Sequence, residues 1–332
     1  MGPTTTITSR SEARTMPGPL VIQTEELEPE AQAWLRRHAT LEICPHDDPR
    51  LPTLLADAQG LVVRTYTQVG PRLLDSAPAL RVVGRAGVAL ENIDVPACRA
   101  RGVEVVHTPE ANTQAVVEFT LAMLLDARRP RVFLDEPLVG DAWHRARRDL
   151  QADDHVADLP VGILGFGRIG RRVGRALAAL GCSVLYHDLA DVPESDRYGC
   201  APATLDDLVD HARVLSIHVD FRESNRHMID AGFLARLRED AILINTARGL
   251  VVEPFALAAW LRAHPGAQAL LDVHDPHEPI GPDYPLLGVP NAHLAPHIAA
   301  ATKPARLNMS WVVRDVVAVL EGREPAHRAP EY

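Results

Sequence analysis

The sequence shows none of the cysteine patterns that mark a disulfide framework or a structural zinc site. Its four cysteines, Cys44, Cys98, Cys182 and Cys200, form no CxxC pair, and a 332-residue chain has no need of disulfide staples. We therefore expect a reducing, cytoplasmic location. No run of about 18 apolar residues is present, which excludes a membrane span, and no membrane partner is expected. The first sixteen residues lack an apolar run as well, and we expect a loose tail there rather than a signal peptide.

Basic charge and aromatic residues are also scarce. The formal net charge is −10, so nucleic acid is not expected as a partner, because phosphate binding needs a basic surface. Aromatic residues make up 5% of a chain that is 46% hydrophobic. A core of Val, Leu, Ala and Ile is typical of α/β proteins with buried parallel strands. The length suits two domains.

Strand and helix patterns alternate over residues 17–107, which indicates a small parallel α/β unit. The predicted strands are Pro19–Ile22, Leu41–Cys44, Gly60–Arg64, Leu80–Gly84 and Val103–Val106, with a helix over Glu28–His38. A long helix capped by Asn112 and ended by Pro130 is predicted next.

From Leu159 to Ala295 the alternation is more regular and predicts a doubly wound sheet. The strands are Val161–Leu164, Ser183–His187, Val214–His218, Ala241–Asn245, Ala269–Val273 and Ala292–Ala295; the helices are Ile169–Leu180, Leu205–His211, Ala231–Leu237 and Glu253–His264. A last helix, Ala305–Leu320, is expected to return to the first unit. The prediction is two Rossmann-like parallel-sheet domains, with residues 109–298 binding the dinucleotide, inserted in a substrate domain of residues 17–108 and 299–332.

A GxGxxG loop lies between the apolar strand at Val161 and an amphipathic helix. In that setting Gly165 permits a tight turn, Gly167 lets a pyrophosphate approach the backbone, and Gly170 lets helix and strand pack closely. The helix N-terminus offers free N–H groups to phosphates. Asp188 ends the next strand roughly 20 residues on, the position expected of a carboxylate that binds the adenosine ribose. The loop therefore predicts a dinucleotide cofactor. The carboxylate of Asp188 would repel a 2′-phosphate, so NAD is predicted in preference to NADP.

Polar side chains follow two later strands, at the sheet edge where ligands bind. Arg248 can donate two hydrogen bonds to a carboxylate, and His297 is suited to donate a proton to an alkoxide. Taken singly, the Arg could be a solvated charge and the His a structural residue. A carboxylate from the segment between them would orient His297. A metal held by His274, Asp275, His277 and His297 is a weaker alternative, because no zinc-ligand spacing supports it.

With these residues assembled, the chain resembles the D-isomer-specific 2-hydroxyacid dehydrogenase family, which includes phosphoglycerate dehydrogenases and glyoxylate/hydroxypyruvate reductases. The similarity is distributed over several spaced motifs, which makes it more specific than the glycine loop alone. They are Gly84-Arg85-Ala86-Gly87-Val88, Asn92-Ile93-Asp94, Asn112-Thr113 with Glu118, Gly162–Gly170, Ile244-Asn245-Thr246-Ala247-Arg248-Gly249, Leu271-Asp272-Val273 and Pro296-His297-Ile298.

The resemblance implies reversible hydride transfer between NAD(H) and a small 2-keto or 2-hydroxy acid, commonly by a homodimer. It implies that Arg248 binds and polarises the substrate, that His297 is the general acid/base, and that a Glu partners the His. The substrate carboxylate is expected on the backbone of Val88 and Ala89, with Arg64 and Thr65 lining the same cleft. The cofactor contacts are expected from Thr113, Gly165, Gly167, Arg168, Ile169, Gly170, Asp188, His218, Ala247, Asp272 and His297.

The chain departs from the family pattern in three places. The usual Gly-Val-Gly reads Gly87-Val88-Ala89 and is followed by Glu91, and the adenine-side segment reads His218–Arg222. Family spacing puts the catalytic Glu at His277. If one residue is inserted, Glu278 restores the family's Glu-Pro pair, and we choose it as the carboxylate partner of His297. Asp275 is the alternative. An Arg–His pair without a carboxylate partner is also open.

The sequence leaves other functions and the substrate open. A non-catalytic NAD-sensing protein and a formate dehydrogenase-like enzyme are the rivals, although the latter is expected to carry an amide in place of the carboxylate partner. Arg64 and Arg85 could serve a substrate phosphate, but both belong to the common family pattern.

Overall fold

The computed structural model describes residues 18–276 and 278–330, so the expected N-terminal tail and His277 lie outside the described residues. The described chain divides into two compact units. One contains the residues up to Pro109 together with those from Leu307 onward, and the other is Glu110–Arg306. No helix in the described ranges combines the length and apolarity needed to cross a membrane.

The first unit is a parallel sheet with helices in the connections. Its elements are β1 (Leu20–Gln23), α1 (Pro29–Arg36), β2 (Thr40–Ile43), α2 (Leu51–Leu55), β3 (Gly60–Val63), α3 (Pro71–Asp75), β4 (Val82–Arg85), α4 (Val95–Ala100) and β5 (Glu104–Val106). The strand order is β2-β1-β3-β4-β5, and every pairing is parallel. The prediction of a parallel α/β unit is confirmed.

The central strands β1, β3 and β4 are covered on both faces, which explains their largely hydrophobic sequences. Ile22, Leu61 and Val83 belong to one buried cluster, whereas their strand neighbours Val21 and Val62 belong to another. Alternate residues point to opposite faces, so a strand buried on both sides has no polar face to display.

The second unit is a larger parallel sheet. It contains α5 (Thr113–Arg128), α6 (Asp141–Asp149), β6 (Val161–Leu164), α7 (Arg168–Ala179), β7 (Val184–His187), β8 (Ala201–Pro202), α8 (Leu205–His211), β9 (Val214–Ile217), α9 (Ala231–Leu234), β10 (Ile242–Asn245), α10 (Pro254–Ala263), β11 (Gln268–Leu271) and β12 (Ala292–Leu294). The strand order is β12-β11-β10-β9-β6-β7-β8. The order reverses between β6 and β9, which is the switch point where such sheets bind ligands at their carboxyl edge.

Three details of the prediction for this unit are wrong. The sheet has seven strands rather than six, because β8 is a pair of exposed residues that includes a proline and gives no hydrophobic signal. Helix α6 buries none of its residues and was not predicted. Asn112 does precede α5, but its side chain makes no capping hydrogen bond.

The predicted last helix is two helices, α11 (Lys303–Ser310) and α12 (Val312–Leu320), separated at Trp311. At the break the Ser310 hydroxyl accepts a hydrogen bond from the N–H of Glu28, a contact with a distant segment that local periodicity does not encode. Helix α12 does return to the first unit, as predicted. A Cβ on Gly84 would lie 2.4 Å from the Val316 side chain, so this glycine allows α12 to pack closely on β4.

Candidate active site

The three glycines of the loop after β6 have different surroundings. Gly165 has a φ of 90°, and a Cβ there would lie 2.7 Å from the carbonyl carbon and oxygen of His218. A Cβ on Gly170 would lie 2.1 Å from the carbonyl oxygen of Gly165, so helix and loop meet through it. A Cβ on Gly167 would have no described atom within 4 Å. The first and third glycines therefore serve packing, and the middle one borders open space in which a pyrophosphate fits.

Helix α7 begins directly after Gly167, with Arg168 exposed and Ile169 half-buried at its first positions. The first N–H groups of a helix have no acceptor within it and attract anions. Asp188, just past β7, accepts a hydrogen bond from the N–H of Phe166 at 2.5 Å. The glycine loop and Asp188 thus meet at the end of β6, and the N–H groups at the start of α7 are of a kind that suits a pyrophosphate.

His218 follows β9 and lies behind the glycine loop. Its N–H donates to the carbonyl oxygen of Leu164 at 2.7 Å, and its Nε2 is 2.9 Å from the hydroxyl of Ser216. Burial lowers the pKa of His218 to about 3, so the imidazole is neutral at physiological pH. Its buried Nδ1 has no partner among the described atoms. The side chain is a polar group that a nucleotide could satisfy.

The loop after β10 is held by the buried amide of Asn245. The N–H of Ala247 donates to Asn245 Oδ1 at 3.0 Å, and Asn245 Nδ2 donates to the carbonyl oxygen of Arg248 at 2.9 Å. The Arg248 guanidinium also donates to the carbonyl oxygen of Ala247. These bonds fix the direction in which the chain carries Arg248 away from the sheet.

Helix α5 contacts the same loop through two hydroxyl groups. Thr120 donates to the carbonyl oxygen of Val116 at 2.8 Å, and its Oγ1 is 3.0 Å from that of Thr246. Thr113, a predicted nicotinamide contact, is buried at the start of this helix. The α5 helix therefore supports the Arg248 loop in addition to packing on the sheet.

Gly249 brings the Arg248 loop against the segment after β11. A Cβ at this position would lie 2.1 Å from the carbonyl oxygen of His274 and 2.8 Å from the N of Asp275. No other amino acid fits there unless one backbone moves. The loop that carries the arginine and the loop that carries the candidate carboxylates are thus in direct backbone contact.

Glu278 is the carboxylate that contacts His297. Its Oε2 is 2.5 Å from His297 Nδ1, and its Oε1 accepts a hydrogen bond from the N–H of His274 at 2.8 Å. Asp275 points elsewhere, because its Oδ2 is 3.0 Å from Nε2 of His227. Of the alternatives left open by the sequence, only Glu278 is in contact with the histidine.

This contact shifts both pKa values. The hydrogen bond with Glu278 is the largest influence on His297 and raises its pKa above the usual value, although partial burial acts in the opposite direction. Burial alone would raise the pKa of Glu278, but the bond to His297 and the charge of that ring lower it overall. The pair favours an ionised carboxylate beside a protonated imidazole, which is the arrangement a proton donor requires.

Asp272 fixes the backbone that follows His297. Its two carboxylate oxygens accept hydrogen bonds from the N–H groups of Ile298 and Ala299, each at 2.8 Å, and the residue is fully buried. Burial raises its pKa despite these bonds. His297 has a φ of 55°, a conformation that non-glycine residues rarely adopt. The observed role of Asp272 is therefore to hold this turn, and its contact with the cofactor stays a prediction.

The candidate metal ligands do not form a metal site within the described ranges. No group of three or more His, Cys, Asp or Glu suited to a metal is present among residues 18–276 and 278–330. The His274 ring instead contacts the Tyr284 hydroxyl at 3.3 Å and the carbonyl oxygen of Ala295 at 2.8 Å.

The predicted substrate residues lie at the carboxyl edge of the sheet in the first unit. Arg64 and Thr65 directly follow β3, and Val88 and Ala89 follow β4. In residues 18–276 and 278–330, neither the N–H of Val88 nor that of Ala89 has a hydrogen-bond acceptor. Two adjacent free amides are suited to a carboxylate.

Several residues that organise the site were missed in the sequence. Asn245 and Gly249 were recognised only as members of a motif, and Glu25, whose carboxylate contacts the Arg64 loop, was not singled out. An acidic residue three positions beyond the predicted strand Pro19–Ile22 was the available signal for Glu25. For Asn245 the signal was an amide at the end of an otherwise apolar strand.

The chain is similar to several known proteins. Residues 121–299 match the model for "D-isomer specific 2-hydroxyacid dehydrogenase, NAD binding domain". A glyoxylate reductase of Aeropyrum pernix is 34% identical over 93% of this chain and 95% of that protein. An (S)-sulfolactate dehydrogenase of Chromohalobacter salexigens is 36% identical over 82% of this chain and 87% of its own length. The structure of a D-lactate dehydrogenase from Aquifex aeolicus, complexed with NAD and lactic acid, superposes with a TM-score of 0.77 at 25% identity, covering 91% of this chain and 96% of the other.

Proposed function

Because the chain belongs to the D-isomer-specific 2-hydroxyacid dehydrogenase family, an NAD-binding family of oxidoreductases acting on CH–OH groups, we propose that it interconverts a small 2-keto acid and its D-2-hydroxy acid. Arg248 binds and polarises the substrate, and His297 is the general acid/base. The hydrogen bond between His297 and Glu278 is the observation that carries this proposal, because it leaves the other ring nitrogen for the substrate.

The residues divide the chemistry between them. NADH, when bound at the glycine loop and Asp188, supplies the hydride. The Arg248 guanidinium draws electron density from the substrate carbonyl, and His297 delivers a proton from Nε2 to the oxygen while Glu278 stabilises the charged ring. In the reverse direction His297 takes the proton back. The free amides of Val88 and Ala89 bind the substrate carboxylate, and Arg64 and Thr65 form the rest of its surroundings.

The substrate class is a short 2-keto acid. The names of the relatives refer to glyoxylate, sulfolactate and lactate, which share a carboxylate next to the reacting carbon. Following NADH or NADPH oxidation with glyoxylate, hydroxypyruvate, pyruvate and sulfopyruvate tests this directly. We expect turnover of at least one acid, with NADH preferred. Formate with NAD is the negative control. A formate dehydrogenase-like enzyme is expected to carry an amide beside His297, whereas this chain has a carboxylate there.

Asp188 should determine the preference for NAD. Its carboxylate repels a 2′-phosphate, so Asp188→Ser should improve the KM for NADPH and weaken NADH binding by about tenfold, the value of a charge-assisted hydrogen bond. Asp191→Ser, which removes an exposed carboxylate nearby, is the matched control. Steady-state KM values for both cofactors measure the effect, and an unchanged ratio in Asp188→Ser would contradict the assignment.

Glu278 should set the pH range of the reaction. Its hydrogen bond raises the pKa of His297, and keto-acid reduction needs the protonated ring, so the rate falls as pH rises through that pKa. Glu278→Gln removes this influence and should move the alkaline limb of kcat/KM to lower pH. Asp275→Asn is the control, because Asp275 contacts His227. If Asp275→Asn moves the limb and Glu278→Gln does not, the assignment of the carboxylate is wrong.

A homodimer and a cytoplasmic location complete the proposal. The segment between α5 and α6 exposes large apolar side chains, with Phe133 at 84% and Val139 at 75%. Exposed apolar patches of this kind mark interfaces, and a second copy is the partner expected of a C2 assembly. Light scattering of the purified protein should give twice the chain mass. All four cysteines are free and buried, in keeping with a reducing compartment.

A further inference from the structure

The loop after β3 has an unusual backbone arrangement. The N–H groups of four consecutive residues, Arg64 to Thr67, all donate to the carboxylate of Glu25. The distances run from 2.8 Å for Thr65 to 3.2 Å for the longer of the two Tyr66 bonds, and the Thr67 hydroxyl adds a bond at 2.9 Å. Successive N–H groups that converge on one point form a nest for an anion, and here the anion is a side chain of the same unit.

The carboxylate is suited to hold this nest. Burial would raise the pKa of Glu25, but the N–H groups of the loop outweigh that influence and lower it below the usual value. Glu25 is therefore ionised at neutral pH. Hydrogen bonds to an ionised acceptor are stronger than those between neutral groups. Without the negative charge, the positive ends of four N–H dipoles would point toward the same position, with only water between them.

The carbonyl side of the same loop is held by Asn92. Its Nδ2 donates to the carbonyl oxygens of Arg64 at 3.1 Å and Thr67 at 2.8 Å, and Asn92 is buried. This residue closely follows Val88 and Ala89 in the chain. Glu25 and Asn92 thus bind opposite sides of the Arg64–Thr67 loop, and Asn92 connects it to the second predicted substrate segment.

We propose that Glu25 is a positioning residue for substrate binding, which holds the Arg64–Thr67 loop in the conformation that receives the 2-keto acid. The role rests on the proposed function, because Arg64 and Thr65 are the predicted substrate contacts on this loop. The hydrogen bonds that the Glu25 carboxylate accepts come from the Arg64–Thr67 loop of the first unit. Glu25 acts through the backbone of the loop, so its loss affects substrate binding more than the chemical step.

Three variants separate positioning from a general structural role. Glu25→Gln keeps the shape but places an NH2 group against at least one N–H donor. Glu25→Asp keeps the charge on a shorter side chain, and the exposed Glu30→Gln is the matched control. For Glu25→Gln we expect the keto-acid KM to rise roughly tenfold or more, with NADH KM and kcat little changed. Glu25→Asp should recover part of the loss, and Glu30→Gln should match the wild type.

Amide hydrogen exchange provides a readout that does not depend on turnover. In Glu25→Gln the peptide containing residues 64–67 should exchange faster, while peptides from α7 and β10 keep their protection. Unchanged exchange at 64–67, an unchanged keto-acid KM, or a uniform loss of protection with every kinetic constant altered would each overturn the role of Glu25. A wild-type enzyme inactive on every keto acid would instead contradict the proposed function, and the exchange measurement would still decide whether Glu25 holds the loop.

Discussion

Replacement of His297 by Asn is expected to lower kcat for keto-acid reduction by about a hundredfold to ten-thousandfold, the usual contribution of a general acid, while the Kd for NADH stays nearly unchanged. The amide cannot donate a proton to the developing alkoxide. Asp188 is bonded to the glycine loop and His297 to Glu278, which are separate sets of contacts. Stopped-flow turnover and NADH fluorescence titration measure the two quantities separately.

The control for this experiment lies in the same segment of chain. His293 is an exposed residue of β12, so His293→Asn makes the same chemical change a short distance before the site and should leave kcat unaltered. Equal losses in the two variants would indicate a folding defect. An active His297→Asn enzyme would remove this histidine from the mechanism.

Replacement of Arg248 by Ala is expected to reduce kcat/KM for the keto acid by about a hundredfold or more, because hydrogen bonds from a charged group to the substrate are lost. Both constants should change, since the guanidinium binds the ground state and also stabilises the charge that develops on the carbonyl oxygen. The kcat/KM of Arg248→Lys should lie between those of the wild type and Arg248→Ala, because an ammonium keeps the charge but lacks the planar guanidinium group.

The comparison variant for Arg248 is Arg37→Ala, which removes an exposed arginine of the first unit. It should leave kcat and both KM values at wild-type levels. A rise in KM alone for Arg248→Ala would restrict the residue to binding. Wild-type kinetics in that variant would exclude it from the site.

Elements with strong local signals could be predicted from the sequence. Strand β6 was predicted over the observed range, because a short apolar run precedes a glycine turn. Helix α8 was predicted with equal accuracy, and the Thr204 side chain caps it by accepting a hydrogen bond from the N–H of Asp207. Strand β8 has no apolar run, so pattern could not find it. The break at Trp311 could not be predicted because it involves Glu28, which lies far away in the chain.

Some residues of the site could likewise be placed from the sequence, and others could not. Residues at strand ends, such as Asp188 and Arg248, could be placed from topology, since parallel strands end at one edge of a sheet. The Glu-Pro pair favoured Glu278 over Asp275, but the sequence could not exclude Asp275, because a loop's turns decide which carboxylate faces the histidine. The four-donor nest around Glu25 was hidden for a related reason: hydrogen bonds to backbone depend on loop conformation rather than on residue pattern.

The contact at Gly249 has a consequence for how this active site can be altered by selection or engineering. A Cβ at Gly249 would overlap the backbone of His274 and Asp275, so the backbone that carries Arg248 is in direct contact with that segment. A length change or bulky substitution in either loop is transmitted to the other as a displacement. Adaptive changes in the two segments should therefore arise in pairs. A library that varies residues 246 and 247 together with 274–276, with Arg248, Gly249 and Glu278 kept, should yield more active variants than two libraries that vary each segment alone.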